Sequence, residues 1–206
     1  MNEKSGASQP ELANEKSKKV ACLKASHFLN IGVTMLDLYT VDSKYLQYLR
    51  TFDKKVLINH GIDRPYLGII LTFNTSNQTI KYFAPLSSPK RKHLSMKNTI
   101  DFIKIDNGKL GAINLNNMIP LVNSTYSKIK INSLKDKKYK ILLRKQYNWI
   151  TTNQNSIITK AKDLHNKMIH DDSKLNTYEI QVKSRCCDFL LLEGICDKYN
   201  NQTQQK

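Results

Sequence analysis

The sequence lacks the cysteine pattern of a disulfide-stapled or a zinc-binding protein. Its four cysteines among 206 residues form no CxxC pair and no group with histidine at zinc-ligand spacing. We therefore expect a reduced, cytosolic protein without a metal or other cofactor. Cys22 stands alone near the start, and Cys186, Cys187 and Cys196 are expected to be small buried side chains. His165 and His170 lack a glutamate at metal-ligand spacing and are expected to face solvent.

Long apolar runs are also missing. No stretch approaches the roughly 20 apolar residues that a membrane-spanning helix needs, so we expect no membrane contact. The apolar residues 20–23 follow three lysines but are ended by Lys24, which makes them a weak signal peptide. Residues 1 to about 18 are rich in Ser, Glu, Lys, Asn and Gln, and this composition predicts disorder.

Acidic residues are few. Lysine and arginine number 33 against 17 aspartates and glutamates, which gives a formal net charge of +16. Residues 1–34 hold five lysines and three glutamates, so +14 of this charge lies in the rest of the chain. A charge of this size favours a polyanionic partner, most often a nucleic acid. The alternative is a protein that is basic without binding one.

Short alternating segments predict a sheet in the first two thirds of the chain. The predicted strands are residues 36–41, 66–73, 79–84, 100–105, 110–115, 118–122 and 126–131, with a helix at 44–52. Apolar spacing of three and four residues then predicts helices at about 136–150, 154–169 and 184–199. The predicted class is α+β, with a strongly twisted antiparallel sheet or partly open barrel of about six strands packed against C-terminal helices.

One ten-residue segment after a predicted strand concentrates hydroxyl and basic side chains. It reads Ala-Pro-Leu-Ser-Ser-Pro-Lys-Arg-Lys-His at residues 84–93. RNA cleavage without metal requires deprotonation of the ribose 2′-hydroxyl, protonation of the 5′-oxygen and stabilisation of charge on the phosphorane. Lys90 and Arg91 can supply cations, and Ser88, with Ser87 less directly, can hold a phosphate oxygen or relay a proton. An exposed loop or a nonspecific phosphate clamp would have the same composition.

Three sequence blocks resemble the ToxN/AbiQ family of endoribonuclease toxins from type III toxin–antitoxin systems. They are Leu-Tyr-Thr-Val-Asp-Ser-Lys-Tyr-Leu at 38–46, Tyr-Leu-Gly-Ile at 66–69 leading into Tyr-Phe-Ala-Pro-Leu-Ser-Ser-Pro-Lys at 82–90, and Gly-Ala-Ile-Asn-Leu-Asn-Asn-Met-Ile-Pro at 111–120. Their order and spacing agree with the family, and the similarity covers about residues 37–199. The pattern is most like that of the AbiQ phage-resistance branch.

This resemblance implies a fold like that of Kid/MazF toxins and metal-independent cleavage of RNA to 2′,3′-cyclic phosphate and 5′-hydroxyl ends. It also implies that the protein processes a repeated pseudoknot RNA antitoxin, which then inhibits it in a closed cyclic protein–RNA assembly in the bacterial cytoplasm. Residues 36–200 would form a single toxin domain. Residues 1–35 lie outside the family pattern, and they are expected to be disordered, a mis-assigned start before Met35, or a tether that modulates RNA binding.

Carried over by position, the resemblance assigns catalytic roles to Ser88, Ser87, Lys90, Tyr45 and Arg64. Ser88 matches the family's key active-site serine, and Tyr45 matches a tyrosine that lines the site from the first helix. Arg64 stands where a relative has lysine. The general base and general acid stay open. A core aromatic is the alternative for Tyr45, and a surface charge is the alternative for Arg64.

A second set of residues is expected to bind RNA: Arg91, Lys92, His93, His60, Lys138, Arg144 and Lys145. The last three belong to predicted helices in which basic residues alternate with aromatics, a mixture that suits phosphates and unstacked bases. Solvated helix faces are the alternative, and the two histidines would then be bystanders. For the whole protein, an RNA-binding module without catalysis stays open. A DNA-binding repressor is disfavoured because the sequence has no helix-turn-helix signature.

Overall fold

The computed structural model describes residues 36–59, 63–72 and 79–204, and it confirms the predicted α+β class. The described strands form an antiparallel sheet of seven members, where about six were expected in the sheet, and its edge strands do not pair with each other to close a barrel. The strands are β1 (Asp37–Val41), β2 (Tyr66–Thr72), β3 (Thr79–Ser87), β4 (Phe102–Lys104), β5 (Ala112–Asn114), β6 (Ile119–Pro120) and β7 (Tyr126–Lys128). The expectations for residues 1–35 fall outside the described ranges.

β3 organises the sheet because it pairs with three other strands. Most of its length pairs with β2, and β6 pairs with it at Tyr82 and Phe83. Its last two residues, Leu86 and Ser87, pair with β5 instead. The full order is β4-β5-β3-β2-β1-β7, with β6 attached beside β3. The Ser87 end of β3 therefore lies where the strand changes partners, and the chain leaves the sheet at that point.

The described helices are α1 (Ser43–Phe52), α2 (Arg91–Ser95), α3 (Lys137–Thr152), α4 (Gln154–Met168), α5 (Thr177–Arg185) and α6 (Phe189–Gln204). Polar side chains set several of their starts. Asp42 and Asp136 each accept a hydrogen bond from a backbone N–H in the first turn of α1 and α3. Asn176 and Glu179 form a reciprocal capping box at the start of α5.

A buried polar contact joins two helices to the sheet. Tyr82 on β3 donates its hydroxyl to the Glu193 carboxylate on α6. His165 on α4 places its Nε2 2.7 Å from the same oxygen, and its ring stacks on Phe189. His165 is only 3% exposed as a result. The prediction that His165 faces solvent is wrong, whereas His170 is exposed as predicted.

The structure also corrects the predicted helix boundaries. The sequence patterns do not predict α2 or α5, and they place the last helix at about 184–199. The chain breaks between α5 and α6 instead, at residues 186–188. Asp53 holds this break because its carboxylate accepts a hydrogen bond from the Asp188 N–H at 2.8 Å. The helices predicted at 44–52, 136–150 and 154–169 are confirmed as α1, α3 and α4.

The C-terminal cysteines lie in the core. Cys186, Cys187 and Cys196 are buried free thiols, which confirms their interpretation as small core side chains. Burial raises the pKa of the Cys186 thiol to about 12. Across the described ranges, no helix combines the length and the apolar character that crossing a membrane demands.

Candidate active site

A surface cavity of about 310 Å³ lies where the start of β2 meets the end of β3. Three segments of the chain line it, through Asn59, Asp63, Arg64, Pro65, Leu86, Ser87, Ser88, Lys90 and Tyr139. Four of the five residues to which the sequence assigns catalytic roles therefore meet in one place. These four are Ser87, Ser88, Lys90 and Arg64, and we call this space the serine cavity.

Backbone hydrogen bonds place Arg64 beside the end of β3. The Leu86 N–H donates to the Pro65 carbonyl at 2.8 Å, one residue after Arg64. The Arg64 N–H donates to Asn59 Oδ1 at 3.2 Å. The same asparagine donates from Nδ2 to the Asp63 carboxylate at 3.2 Å. Asn59 therefore holds Asp63 and Arg64 in place.

Asn114 and Gly111 hold Ser87 from the other side. Asn114 Nδ2 donates to Ser87 Oγ at 2.8 Å and to the Pro85 carbonyl at 3.1 Å. Gly111 has a φ of +102°, and a Cβ added there would lie 2.0 Å from the Ser87 carbonyl oxygen. This close approach of two backbones requires glycine. It fixes the position from which the chain continues to Ser88.

The segment after β3 presents its polar groups to solvent. Ser88, Pro89 and Lys90 are all exposed. The Lys90 carbonyl accepts a hydrogen bond from the His93 N–H at 2.9 Å, which begins α2. Among the described residues, no carboxylate forms a salt bridge with Lys90. Its ammonium group is therefore available to an anionic ligand.

Tyr139 lines the serine cavity from the first turn of α3, although the sequence pattern marks it only as one of the aromatics among the basic residues of that helix. Its side chain is half-buried. Burial, and then the nearby Asp63 carboxylate, raise the pKa of its phenol. The phenol therefore stays protonated at neutral pH and can donate a hydrogen bond. Asn114, inside the third family-like block, is a second residue whose contact with the site the sequence did not reveal.

His93 differs from the basic residues around it. Arg91 and Lys92 are exposed on α2, whereas His93 is 2% exposed. Its ring packs edge-on against Phe102 with centroids 5.7 Å apart. Burial, followed by the charges of Lys90 and Lys92, lowers its pKa, so the neutral form prevails at pH 7. His93 therefore lies beneath the exposed basic residues with almost no exposed area of its own, although it lines a cavity of about 380 Å³ beside α2. Its expected role in RNA binding stays a prediction.

Tyr45 lies in the core and does not line the serine cavity. It is fully buried, and its hydroxyl donates to the Pro120 carbonyl at 3.1 Å. Its ring meets Tyr199 edge-on with centroids 4.9 Å apart. Burial raises the pKa of its phenol far above the usual range. The structure therefore separates Tyr45 from the other four residues, and its contacts are those of a core aromatic.

Lys138, Arg144 and Lys145 are exposed on α3, the helix that also supplies Tyr139. Lys138 and Lys145 are two helical turns apart and so share one face. Arg144 donates from Nη2 to Asn132 Oδ1 at 2.7 Å. His60 lies outside the described residues. In the part of the chain that is described, no group of three or more His, Cys, Asp or Glu is arranged to hold a metal ion.

The sequence model of the family described as toxin ToxN of type III toxin–antitoxin systems matches residues 37–197 of this chain. This range contains every residue that lines the serine cavity. The chain belongs to the ToxN toxin family. The endoribonuclease ToxN of Pectobacterium atrosepticum is 32% identical over 173 residues, which are 79% of this chain and 91% of the relative. The endoribonuclease AbiQ of Lactococcus lactis subsp. lactis is 29% identical over 179 residues, which are 82% of this chain and 91% of AbiQ.

Solved structures agree with this ToxN family assignment. A type III toxin that is selectively inhibited by a non-coding RNA pseudoknot superposes with a TM-score of 0.69 at 27% identity, over 80% of this chain and 98% of that one. The structure of lactococcal AbiQ, an anti-phage endoribonuclease, superposes with a TM-score of 0.66 at 26% identity, over 81% of this chain and 99% of AbiQ. The antiparallel sheet with its added helices is thus the family's fold.

Proposed function

We propose that this ToxN family member is an endoribonuclease toxin whose active site is the serine cavity. One observation carries the proposal: Ser88, Lys90 and Arg64 line a single cavity on a chain of net charge +16. The relatives from Pectobacterium and Lactococcus are both endoribonucleases, which supports the activity. Residues 36–200 are the toxin domain in this proposal, and its sheet corresponds to the Kid/MazF core.

The proposed reaction is a transesterification within the RNA backbone. The ribose 2′-oxygen attacks the adjacent phosphorus, and the bond from phosphorus to the 5′-oxygen breaks. The 2′-hydroxyl loses one proton and the 5′-oxygen gains one, so the products are a 2′,3′-cyclic phosphate and a 5′-hydroxyl. The balance needs no redox partner, cofactor or metal ion.

The residues of the serine cavity match the needs of this reaction. Arg64 and Lys90 offset the negative charge that gathers on the phosphorane oxygens. The Ser88 hydroxyl donates to one of those oxygens. Ser87 Oγ accepts its hydrogen bond from Asn114 and keeps its own proton free for the phosphate. The protonated phenol of Tyr139 donates a hydrogen bond within the same cavity, which helps the leaving oxygen depart.

The same surface would bind the RNA antitoxin. A structural neighbour is inhibited by a non-coding RNA pseudoknot, and this chain carries exposed basic residues on the helices next to the cavity: Arg91 and Lys92 on α2, and Lys138, Arg144 and Lys145 on α3. We propose that the toxin cuts a repeated RNA precursor and is held by the folded product in a closed cyclic assembly. The setting would be the bacterial cytoplasm, where the buried thiols stay reduced.

The Ser88→Ala substitution tests this function. We expect RNA cleavage to fall by about a hundredfold or more, because one preorganised hydrogen-bond donor to the transition state is lost. The thermal unfolding temperature should not change, because Ser88 is exposed. Ser124→Ala, at an exposed serine outside the serine cavity, is the matched control and should cut RNA like the wild type.

Each alternative has a distinct outcome in this assay. If Ser88→Ala cut RNA as fast as the wild type, the serine cavity would not be the active site. A wild-type protein that binds RNA repeats but cuts no RNA would be an RNA-binding module without catalysis. Under either alternative, the affinity for RNA should fall steeply as the salt concentration rises, because binding of the phosphates releases counterions from the RNA.

A further inference from the structure

A second cavity, of about 380 Å³, adjoins the serine cavity. The two share Ser87 and Lys90 as lining residues. We call the second space the flanking cavity. Its size lies within the roughly 300–1,000 Å³ that is usual for small-ligand clefts. Both shared residues belong to the proposed catalytic group. A ligand in the flanking cavity would therefore lie next to the scissile phosphate.

The flanking cavity offers both apolar and hydrogen-bonding groups. Met96 and Phe102 contribute apolar surface, and Asn114 and Asn116 contribute amide groups. A phosphate alone would require neither apolar surface nor an acceptor. A nucleobase requires both, because its faces pack on apolar or aromatic side chains and its edge forms hydrogen bonds.

Asn114 connects the two cavities chemically. Its Nδ2 is already engaged with Ser87 Oγ and the Pro85 carbonyl. Its Oδ1 is therefore the group that it can offer to a ligand, as an acceptor at the border of the flanking cavity. The side chain that holds Ser87 would thus also contact the neighbouring nucleotide.

The charges around the flanking cavity favour RNA as well. Asp101 lines it, but Arg185 neutralises this carboxylate through a bidentate contact, with Nε 2.7 Å from Oδ2 and Nη2 2.8 Å from Oδ1. Lys90, Lys92 and Lys97 also line it, and they form no salt bridge with any carboxylate of the described residues. The ammonium groups are left to attract the sugar–phosphate backbone.

We propose that the flanking cavity binds the base of a nucleotide adjacent to the scissile phosphate and so contributes to the choice of cleavage site. This inference rests on the proposed endoribonuclease function. Met96 is the specificity residue that can be changed with least risk, because it is 37% exposed at the cavity and ends α2. Leu94, on the same short helix, is 56% exposed and does not line the cavity.

Three oligoribonucleotides provide the test. The first contains one site that the wild-type protein cuts. The second and third lack the base on the 5′ or on the 3′ side of that site but keep the ribose 2′-hydroxyl. We expect wild-type protein to cut one of the two abasic substrates roughly tenfold more slowly than the intact one, because the stacking and hydrogen bonds of that base are lost.

The variants Met96→Ala and Met96→Glu then locate the lost contact. Both should cut the intact substrate more slowly than wild type, and both should show little further loss on the sensitive abasic substrate. Leu94→Ala and Leu94→Glu, matched in size and charge change, should keep the full wild-type difference between substrates. Thermal unfolding of all four variants shows whether any loss is a loss of fold.

The outcomes separate the two proposals. If wild-type protein cuts all three substrates equally, or if the folded Met96 variants keep the wild-type difference, the flanking cavity does not bind the base, while the endoribonuclease function stands. If wild-type protein cuts no RNA, the proposed function fails and this inference fails with it.

Discussion

The hydroxyl group of Tyr139 is the part of this side chain that could take part in catalysis. The described residues contain no hydrogen-bond partner for this phenol, although it lines the serine cavity beside Ser88. We therefore predict that Tyr139→Phe lowers kcat for RNA cleavage by about ten- to a hundredfold, because a donor to the transition state is lost. KM and the free energy of unfolding should change little.

Tyr147→Phe is the matched control for this substitution. Tyr147 is partly buried on the same helix but does not line the serine cavity. Steady-state kinetics on one RNA substrate compares the two variants directly. Equal kcat values for Tyr139→Phe and the wild-type protein would show that the phenol has no part in the reaction.

The sequence predicts some residues of the site and not others. Ser88 and Lys90 are predicted site residues because both lie in one short segment that matches the family pattern, and the structure brings both to the serine cavity. Asn114 could not be predicted, because its contact with Ser87 Oγ joins residues 27 positions apart through strand pairing. For Tyr45 the resemblance predicts a place in the site and a core aromatic is the alternative. Its burial favours the alternative, because an amphipathic helix shows which face is buried but not whether a tyrosine on that face meets the core or a cavity.

At the level of elements, the junction between β3 and β5 determines the geometry of the site. Gly111→Ala would force a side chain into a backbone with φ +102° and place its Cβ against the Ser87 carbonyl. We predict a loss of at least about 1–3 kcal/mol in the free energy of unfolding, from backbone strain alone. RNA cleavage should fall more than stability explains, because Ser87 must move.

Gly194→Ala is the counterpart of that substitution. Gly194 lies within α6, and a Cβ there would meet no atom within 4 Å. Alanine should therefore raise the free energy of unfolding by up to about 1 kcal/mol, through its better helix propensity. Urea denaturation of both variants decides the matter. Equal stability of Gly111→Ala and the wild-type protein would mean that the close approach at Ser87 is not needed.

The elements themselves could be predicted to different degrees. Alternation and apolar spacing located the β2–β3 hairpin, α1, α3 and α4. The break between α5 and α6 could not be predicted, because the apolar pattern continues through Cys186 and Cys187 while Asp53, far away in sequence, holds the Asp188 N–H. The order of the strands could not be predicted from the sequence either, because β3 changes its partner from β2 to β5 through long-range contacts.

For the whole molecule, we predict that the buried phenols lower the free energy of unfolding at alkaline pH. Burial raises the pKa of Tyr45, Tyr66 and Tyr82, whereas each titrates at about 10 in the unfolded chain. Above that pH the unfolded chain loses protons that the folded chain retains. The free energy of unfolding should then fall by up to about 1.4 kcal/mol per pH unit for each phenol. The buried thiols add the same trend from about pH 8.5.

Urea denaturation between pH 7 and 11 measures this dependence, and Tyr45→Phe isolates one contribution. The free energy of unfolding of this variant should be about 0.5–1.5 kcal/mol lower at pH 7, because the hydrogen bond to the Pro120 carbonyl is lost. Its stability should then fall less steeply above pH 10, and its kcat should equal that of the wild type. A flat profile for the wild type, or a large loss of kcat in Tyr45→Phe, would contradict the placement of this tyrosine in the core.

The most direct measurement is an analysis of RNA ends after cleavage by purified wild-type protein in excess EDTA. We predict that the rate equals that measured with divalent ions, and that every cut leaves a 2′,3′-cyclic phosphate and a 5′-hydroxyl. Ser88→Ala should cut the same RNA at least about a hundredfold more slowly. Cleavage that stops in EDTA, or that leaves 5′-phosphate ends, would contradict an active site in which serine, lysine and arginine side chains perform the reaction.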